Sequence, residues 1–311
     1  MGRIFVIGGA NIDICGASNE PLRNYDSNPG TVSVSFGGVG RNIAEYAALL
    51  GADVKFVTAF SYDHYGSLLR SDCEKMGIDC SYSIITDEYP TSMYIAILDH
   101  DRDMRIAMSD MRILRAFSDE MLERVLNNTA ADDIIIIDAN LHLPSLHCIA
   151  ANARCILAAD PVSVAKSARL VDVLGRLRIF KPNRFEAEHL CGFAINSDQS
   201  MRAALDWFRE KGNQETVISK AERGVLLGTD KVKIHFTHRI AAVENATGGG
   251  DSFLAAYTCA RNEGEDPVSA ARFAIATALN VIEREEKDRR KISRQLIIDS
   301  MRQAEIKERY L

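Results

Sequence analysis

Short, mostly apolar runs, each three to five residues long, alternate with longer stretches of helical spacing along most of this chain, and no other feature constrains its fold more. The runs are residues 4–7, 54–58, 134–138, 156–159, 216–219 and 225–227. They are continuously apolar rather than alternating, which predicts strands covered on both faces. Between them, residues 40–50 (closed by Gly51), 118–127, 163–174, 200–211 (closed by Gly212) and 267–282 have the spacing and the stop signals of helices. Strand and helix in alternation predict an α/β fold with a doubly wound, mostly parallel sheet flanked by helices.

Two regions break the rhythm. Residues 31–36, 93–98 and, more loosely, 104–108 alternate polar and apolar side chains, as antiparallel strands with one exposed face do. They predict a small sheet projecting from the main body as a lid, drawn from residues 14–36 and 91–109. With 311 residues and no repeat or low-complexity linker, the chain reads as a single domain, 1–311, carrying that accessory piece.

Charge and cysteine usage narrow the partners. A formal net charge of -6 argues against a nucleic-acid surface, and no apolar run approaches membrane-spanning length. The seven cysteines are scattered, with no C-x-x-C pair, so neither a disulfide framework nor a zinc site is expected. The chain starts on a strand rather than on a basic, long apolar leader, and a cytoplasmic protein with a small-molecule partner is the expectation.

Polar segments punctuate the strand ends. In Asn245-Ala-Thr-Gly-Gly-Gly-Asp251, the glycines let backbone N–H groups converge on an anion, and the helix that follows adds the positive end of its dipole. Asp251 in such a place suits proton abstraction from an attacking hydroxyl, or else it caps the helix. In Gly8-Gly9-Ala10-Asn11-Ile12-Asp13, Asn11 and Asp13 emerge where doubly wound sheets bind ligands; Asp13 suits a vicinal diol, with a pair of turn residues as the plain alternative. Gly37-Gly38-Val39-Gly40-Arg41-Asn42 opens a helix and brings Gly38 and Asn42 within reach of the same pocket. Lys181-Pro182-Asn183-Arg184-Phe185-Glu186 puts an amide and a carboxylate three apart, fitting either hydrated magnesium or a capping pair. Lys220 and Gly224 lie in a hairpin-like loop, where Lys220 serves a phosphate or is simply solvated. The mixed-sign run 283–291 reads as a solvated helix end.

In this order the segments resemble the ribokinase-like (PfkB) family of carbohydrate and nucleoside kinases over essentially the whole chain. The resemblance implies Asp251 as catalytic base, Gly248, Gly249 and Gly250 as anion hole, and ATP as phosphoryl donor. It implies magnesium held near Glu186 and Asn183, through water, and nucleotide binding by Asn183, Lys220, Gly224, Thr247 and Asn280. Acceptor binding falls to Asn11, Asp13, Asn28, Gly38, Asn42 and Tyr94. Ser27-Asn28-Pro29-Gly30 and Asp160-Pro161-Val162-Ser163 resemble the members that phosphorylate the 5′-hydroxyl of pseudouridine. Kinases of ribose, adenosine or inosine, or a non-catalytic nucleoside sensor, are the alternatives. A homodimer through the lid sheet is also implied. Two departures stand out: Asn245 replaces the family's usual aspartate, which weakens the expectation of a monovalent cation, and Gly249 replaces its usual alanine.

Overall fold

The computed structural model describes residues 2–239 and 243–311. Its strands are β1 Ile4–Ile7, β2 Asn11–Ser18, β3 Gly30–Gly37, β4 Val54–Val57, β5 Ala59–Ser61, β6 Ile84–Thr86, β7 Met93–Leu98, β8 Met104–Asp110, β9 Ile134–Asp138, β10 Ile156–Asp160, β11 Ile179–Phe180, β12 Glu215–Ser219, β13 Val225–Gly228, β14 Lys233–Thr237 and β15 Lys307–Tyr310. The α-helices are α1 Val39–Leu49, α2 His64–Lys75, α3 Asp119–Asn127, α4 Leu143–Asn152, α5 Val164–Ser167, α6 Arg184–Cys191, α7 Asp198–Glu210, α8 Gly249–Asn262, α9 Pro267–Ile282, α10 Glu286–Arg289 and α11 Arg294–Ser300.

Each apolar run of the sequence is a strand of one nine-stranded sheet, ordered β15-β14-β13-β12-β11-β10-β9-β1-β4. From β12 to β4 the pairing is parallel, and the three strands beyond β12 pair antiparallel. The strand period of two explains the continuous hydrophobicity. Ile134 and Ile136 face a layer containing Ile43 of α1, Leu254 of α8 and Ala274 of α9, whereas Ile135 and Ile137 face one containing Leu122 of α3, Leu146 of α4 and Phe208 of α7. At roughly 1.5–3 kcal/mol for each fully buried isoleucine, both faces of β9 contribute to the core.

One expected helix differs. Residues 163–174 form the four-residue α5 and then a 3₁₀ helix over Ala168–Arg176. The buried positions Ser167, Leu170 and Val173 recur every three residues, which matches the three-residue turn of 3₁₀ geometry rather than 3.6.

The small sheet is ordered β3-β2-β7-β8. It is mixed rather than wholly antiparallel, because β2 and β7 run parallel. Its first strand begins at Asn11, so Asn11 and Asp13 belong to the lid itself and not to a turn before it. Only Gly8, Gly9 and Ala10 separate β1 of the main sheet from β2 of the lid. By register, Asp13, Cys15, Ser33, Ser35 and Tyr94 share one face of the lid, and Ile14, Val32, Val34, Ile95, Ile106 and Met108 share the other.

Candidate active site

Glycine chemistry builds the floor of the site. Gly38 caps the N-terminus of α1 at φ 103, and a Cβ there would lie 2.4 Å from the carbonyl oxygen of Gly9, so only glycine serves. The Gly8–Ala10 link and the start of α1 are pinned together by Asp138 at the end of β9. One oxygen, Oδ2, accepts N–H bonds from Gly9 and Gly40, both at 2.8 Å, and Oδ1 accepts the N–H of Asn140 at 2.8 Å. Burial pushes the Asp138 carboxyl above its usual range, with the N–H groups of Gly9 and Asn140 opposing.

The second glycine segment starts α8, with Gly248 as N-cap in the left-handed region at φ 82. The departure at Gly249 has a steric reason. A Cβ at that position would sit 2.8 Å from Ile282 Cγ2, and one at Gly250 would sit 2.9 Å from Lys181 Nζ. The Gly249 N–H is drawn toward the Ala246 carbonyl at 3.3 Å, a long bond, while the first turn of α8 presents its amides outward.

Asp251 stands on that first turn. Its Oδ2 accepts a 2.8 Å hydrogen bond from Asn42 Nδ2, joining two glycine segments 209 residues apart in the chain. Enclosure and the neighbouring Asp160 push its carboxyl up to about 7, while Asn42 and Lys181 pull the other way. Asn42 thus commits one N–H of its amide to the carboxylate.

Of these groups Asn42 and Gly248 line a cleft of about 1210 Å³ between the lid, α1, α2, the glycine turn and α10. Asp13, Ser33, Ser35 and Tyr94 line it from the lid, and Asn42, Thr247 and Gly248 from the body. Asp13 accepts from the Asn11 amide at 2.5 Å, so Asn11, itself buried, orients the carboxylate. Burial raises the Asp13 pKa, the Asn11 bond opposes this, and Glu286 adds to the rise. Tyr94 donates its hydroxyl to Met104 Sδ at 3.4 Å.

Asn28 lies outside the cleft lining: its Oδ1 accepts the Arg23 N–H at 2.7 Å and its Nδ2 donates to the Arg23 carbonyl at 3.1 Å, so the side chain holds its own loop.

The residues expected on the nucleotide side fall into two groups. Asn183 pairs in an isolated parallel bridge with Ser219, which puts Asn183 beside Lys220. Asn183 and Glu186 form a reciprocal capping box: Glu186 N–H donates to Asn183 Oδ1 at 3.0 Å and Asn183 N–H donates to Glu186 Oε2 at 2.7 Å. Burial and Asp160 push Glu186 up to about 7. Lys220 is 5% exposed, not a solvated loop lysine; Nζ reaches Met201 Sδ at 3.5 Å, and among the described residues no carboxylate pairs with it. Gly224 turns the chain at φ 89. Asn280 lies in the second group, with its Nδ2 donating to Ala276 O and Ser300 Oγ and its Oδ1 accepting from Arg284. That side chain is wholly committed within the protein. Thr247 is exposed, and its carbonyl accepts from Arg289 at 2.9 Å.

Sequence reasoning missed three features. Asp138 was hidden as the last residue of an apolar run. The buried pair of Lys181 and Asp160, 2.9 Å apart, sits beneath Gly250. Burial works against the Lys181 charge, but Asp160 more than offsets it and the net pKa is raised. The run 283–291 is exposed at Glu285, Glu286, Lys287, Arg290 and Lys291, yet α10 also forms a wall of the cleft, with Arg289 only 8% exposed. Arg290 anchors that wall by bridging Glu45 at 2.8 Å and Asp72 at 2.7 Å, carboxylates that also hold Arg41.

The model of the family described as pfkB family carbohydrate kinase matches residues 1–289. The pseudouridine kinase of Escherichia coli (strain K12) is 33% identical over 273 residues, covering 87% of this chain and 87% of that protein. The guanosine-inosine kinase of Exiguobacterium acetylicum is 25% identical over 306 residues, covering 91% of this chain and 95% of that one. A solved carbohydrate kinase from Agrobacterium tumefaciens superposes with a TM-score of 0.86 at 26% identity, covering 100% of both chains.

Proposed function

The chain belongs to the pfkB family of carbohydrate kinases and is a phosphotransferase acting on an alcohol group of a sugar or nucleoside, and we propose that its acceptor is the 5′-hydroxyl of pseudouridine and its donor ATP. The observation that carries the reading is the Asn42–Asp251 hydrogen bond, which sets a carboxylate of raised pKa at the N-terminus of α8 beside the cleft that Asp13 lines. In this reading Asp13 accepts two ribose hydroxyls and aims the 5′-oxygen at Asp251. Asp251 takes the hydroxyl proton as the oxygen attacks the γ-phosphorus, the bond to the β-phosphate bridging oxygen breaks, and ADP leaves. The amides at the start of α8 stabilise the charge on the transferred group. Lys220, buried without a carboxylate, suits a phosphate of the donor.

A magnesium ion, when bound with the donor, neutralises phosphate charge. Glu186 fits such an ion through water, since its Oε1 lies outside the capping box and the ion keeps part of its hydration shell. The reaction belongs in the cytoplasm, where ATP is abundant and seven free thiols stay reduced.

The test is a panel of pseudouridine, uridine, inosine, guanosine, adenosine and ribose with ATP and magnesium, scored by ADP release and by phosphate on the acceptor. Pseudouridine is expected to give the highest kcat/KM. A higher value for ribose or a purine nucleoside overturns the substrate, and binding without ADP release overturns the chemistry.

The lid supplies a second expectation. Val32, Ile106 and Met108 are 73%, 62% and 69% exposed on its apolar face and take no part in lining the cleft. Both outer strands, β3 and β8, present unpaired edges. We assign this face to a second copy of the chain. Light scattering is expected to give twice the 34.4 kDa chain mass, and the Ile106→Glu, Met108→Glu double variant to give a monomer. A monomeric parent protein sinks the assignment.

A further inference from the structure

The loop that leads into the glycine turn is fastened from outside by a single side chain. Arg289 Nη2 donates to the carbonyl of Asn245 at 2.8 Å and Nη1 donates to the carbonyl of Thr247 at 2.9 Å. The guanidinium thus spans the carbonyls on either side of Ala246 and stops one residue short of Gly248. A Cβ at Gly248 would lie 3.6 Å from Nη1. Within the loop, the Thr247 N–H donates to Asn245 Oδ1 at 2.9 Å, so the Asn245 side chain is occupied and contributes no negative charge.

Two carbonyl oxygens turned toward one point call for a cation or N–H donors between them, here at the edge of the cleft, where Asn245 and Thr247 are exposed and Arg289 is buried. A dehydrated monovalent cation would satisfy them. Here a guanidinium does so, with fixed charge and planar forked geometry. It cannot drift, because Arg290 next to it is bound to Glu45 and Asp72. Its Nε is buried with no partner, a cost consistent with a side chain placed for its two terminal nitrogens.

We infer that Arg289 is a positioning residue for phosphoryl transfer: a resident cation that fixes the 245–248 loop, and through it the amides at the start of α8, in place of a bound monovalent ion. The inference rests on the kinase reading given above. Arg289 lines the cleft beside Thr247 and Gly248, but both of its terminal nitrogens are committed to the turn, through which it acts. The reaction therefore needs no monovalent cation from solution.

The test has two independent arms, both using the acceptor that the panel shows to be phosphorylated. In the first, the parent enzyme is assayed in potassium, sodium and choline chloride at equal ionic strength; kcat is expected to agree within about twofold, and a tenfold or greater fall in choline overturns the inference. In the second, Arg289→Ala is expected to lower kcat at least tenfold with the acceptor KM held within about threefold. Added guanidinium or potassium at millimolar concentration is expected to restore part of that loss, a response that a generally loosened fold would not give. Unchanged kcat, or loss with no rescue in a variant that unfolds at the parent temperature, overturns it. If Arg289→Ala does not fold, Arg289→Lys takes its place, with intermediate kcat expected and none of the potassium sensitivity of a vacated site. A parent enzyme inactive on every acceptor counts against the kinase reading; an active one with an indifferent Arg289 counts against this inference alone.

Discussion

Asp251→Asn is expected to lower kcat about 10²- to 10⁴-fold while leaving the KM for the acceptor nearly unchanged, the range found when a positioned general base is removed. The substitution keeps the shape of the side chain and an oxygen to accept from Asn42, so loss of proton transfer is the main change. Steady-state kinetics with a coupled ADP assay decide the matter, and turnover within threefold of the parent would remove Asp251 from the mechanism. The pH dependence has a definite sign. The carboxyl sits at about 7 in the folded protein against an ordinary value of 3.8, and only its ionised form accepts a proton. Parent kcat/KM is therefore expected to fall as pH drops through about 7. Stability runs the other way: a carboxyl with a raised folded pKa contributes stability that is fully present below about 3.8 and is lost as pH rises through about 7. Above that pH, Asp251→Asn is expected to melt higher than the parent, and near pH 4 the two midpoints converge. A variant that is both inactive and less stable at pH 8 would mean that the charge serves the fold.

Asp138→Ala should be the most damaging single change to the architecture of the site. It strands the N–H groups of Gly9, Gly40 and Asn140 in a buried place, at roughly 1–3 kcal/mol for each unsatisfied donor, or about 3–9 kcal/mol if the three add. With a midpoint shift of about 2–4 °C per kcal/mol for domains near this size, a drop on the order of 10 °C is expected. Activity should fall with it, because Gly9 and Gly40 set the relation between the lid and α1, and so between Asp13 and Asp251. Asp138→Asn retains one acceptor oxygen and should lose less on both counts. Calorimetric midpoints equal to the parent's within a degree or two would show that the clamp is dispensable.

How far the chain could be read follows from which forces are local. The apolar runs were legible because strand burial is written in every residue: β1 and β9 span the very residues, 4–7 and 134–138, that hydrophobicity marks. The glycine segments were legible because turns and helix starts demand small residues at close spacing. Asn183 and Glu186 carried a local signal too, and the capping box it announced is present. What escaped was every property decided by partners far along the chain. Arg289 sits in a run of mixed charges that looks solvated, and only its contacts with residues 42 and 44 positions earlier give it a role. Lys220 looks equally solvated until Met201 covers it. Asn28, a polar residue in a suggestive motif, bonds within its own loop, which the motif alone does not show. The 3₁₀ stretch after α5 differs from a helix by a period of three against 3.6, a difference that a dozen residues barely resolve.

The three-residue link between β1 and β2 has a mechanical consequence. A tilt of the small sheet about this link would have its fulcrum at Gly8–Ala10, where the Asp138 carboxylate accepts from the Gly9 amide. At about 3.3 Å of rise per residue, Asp13 lies roughly 10 Å from the fulcrum and Ser18 roughly 26 Å. A given tilt therefore displaces Asp13 less than half as far as the tip. Asp13 sits where such travel would be least, and the loop carrying Asn28 where it would be greatest.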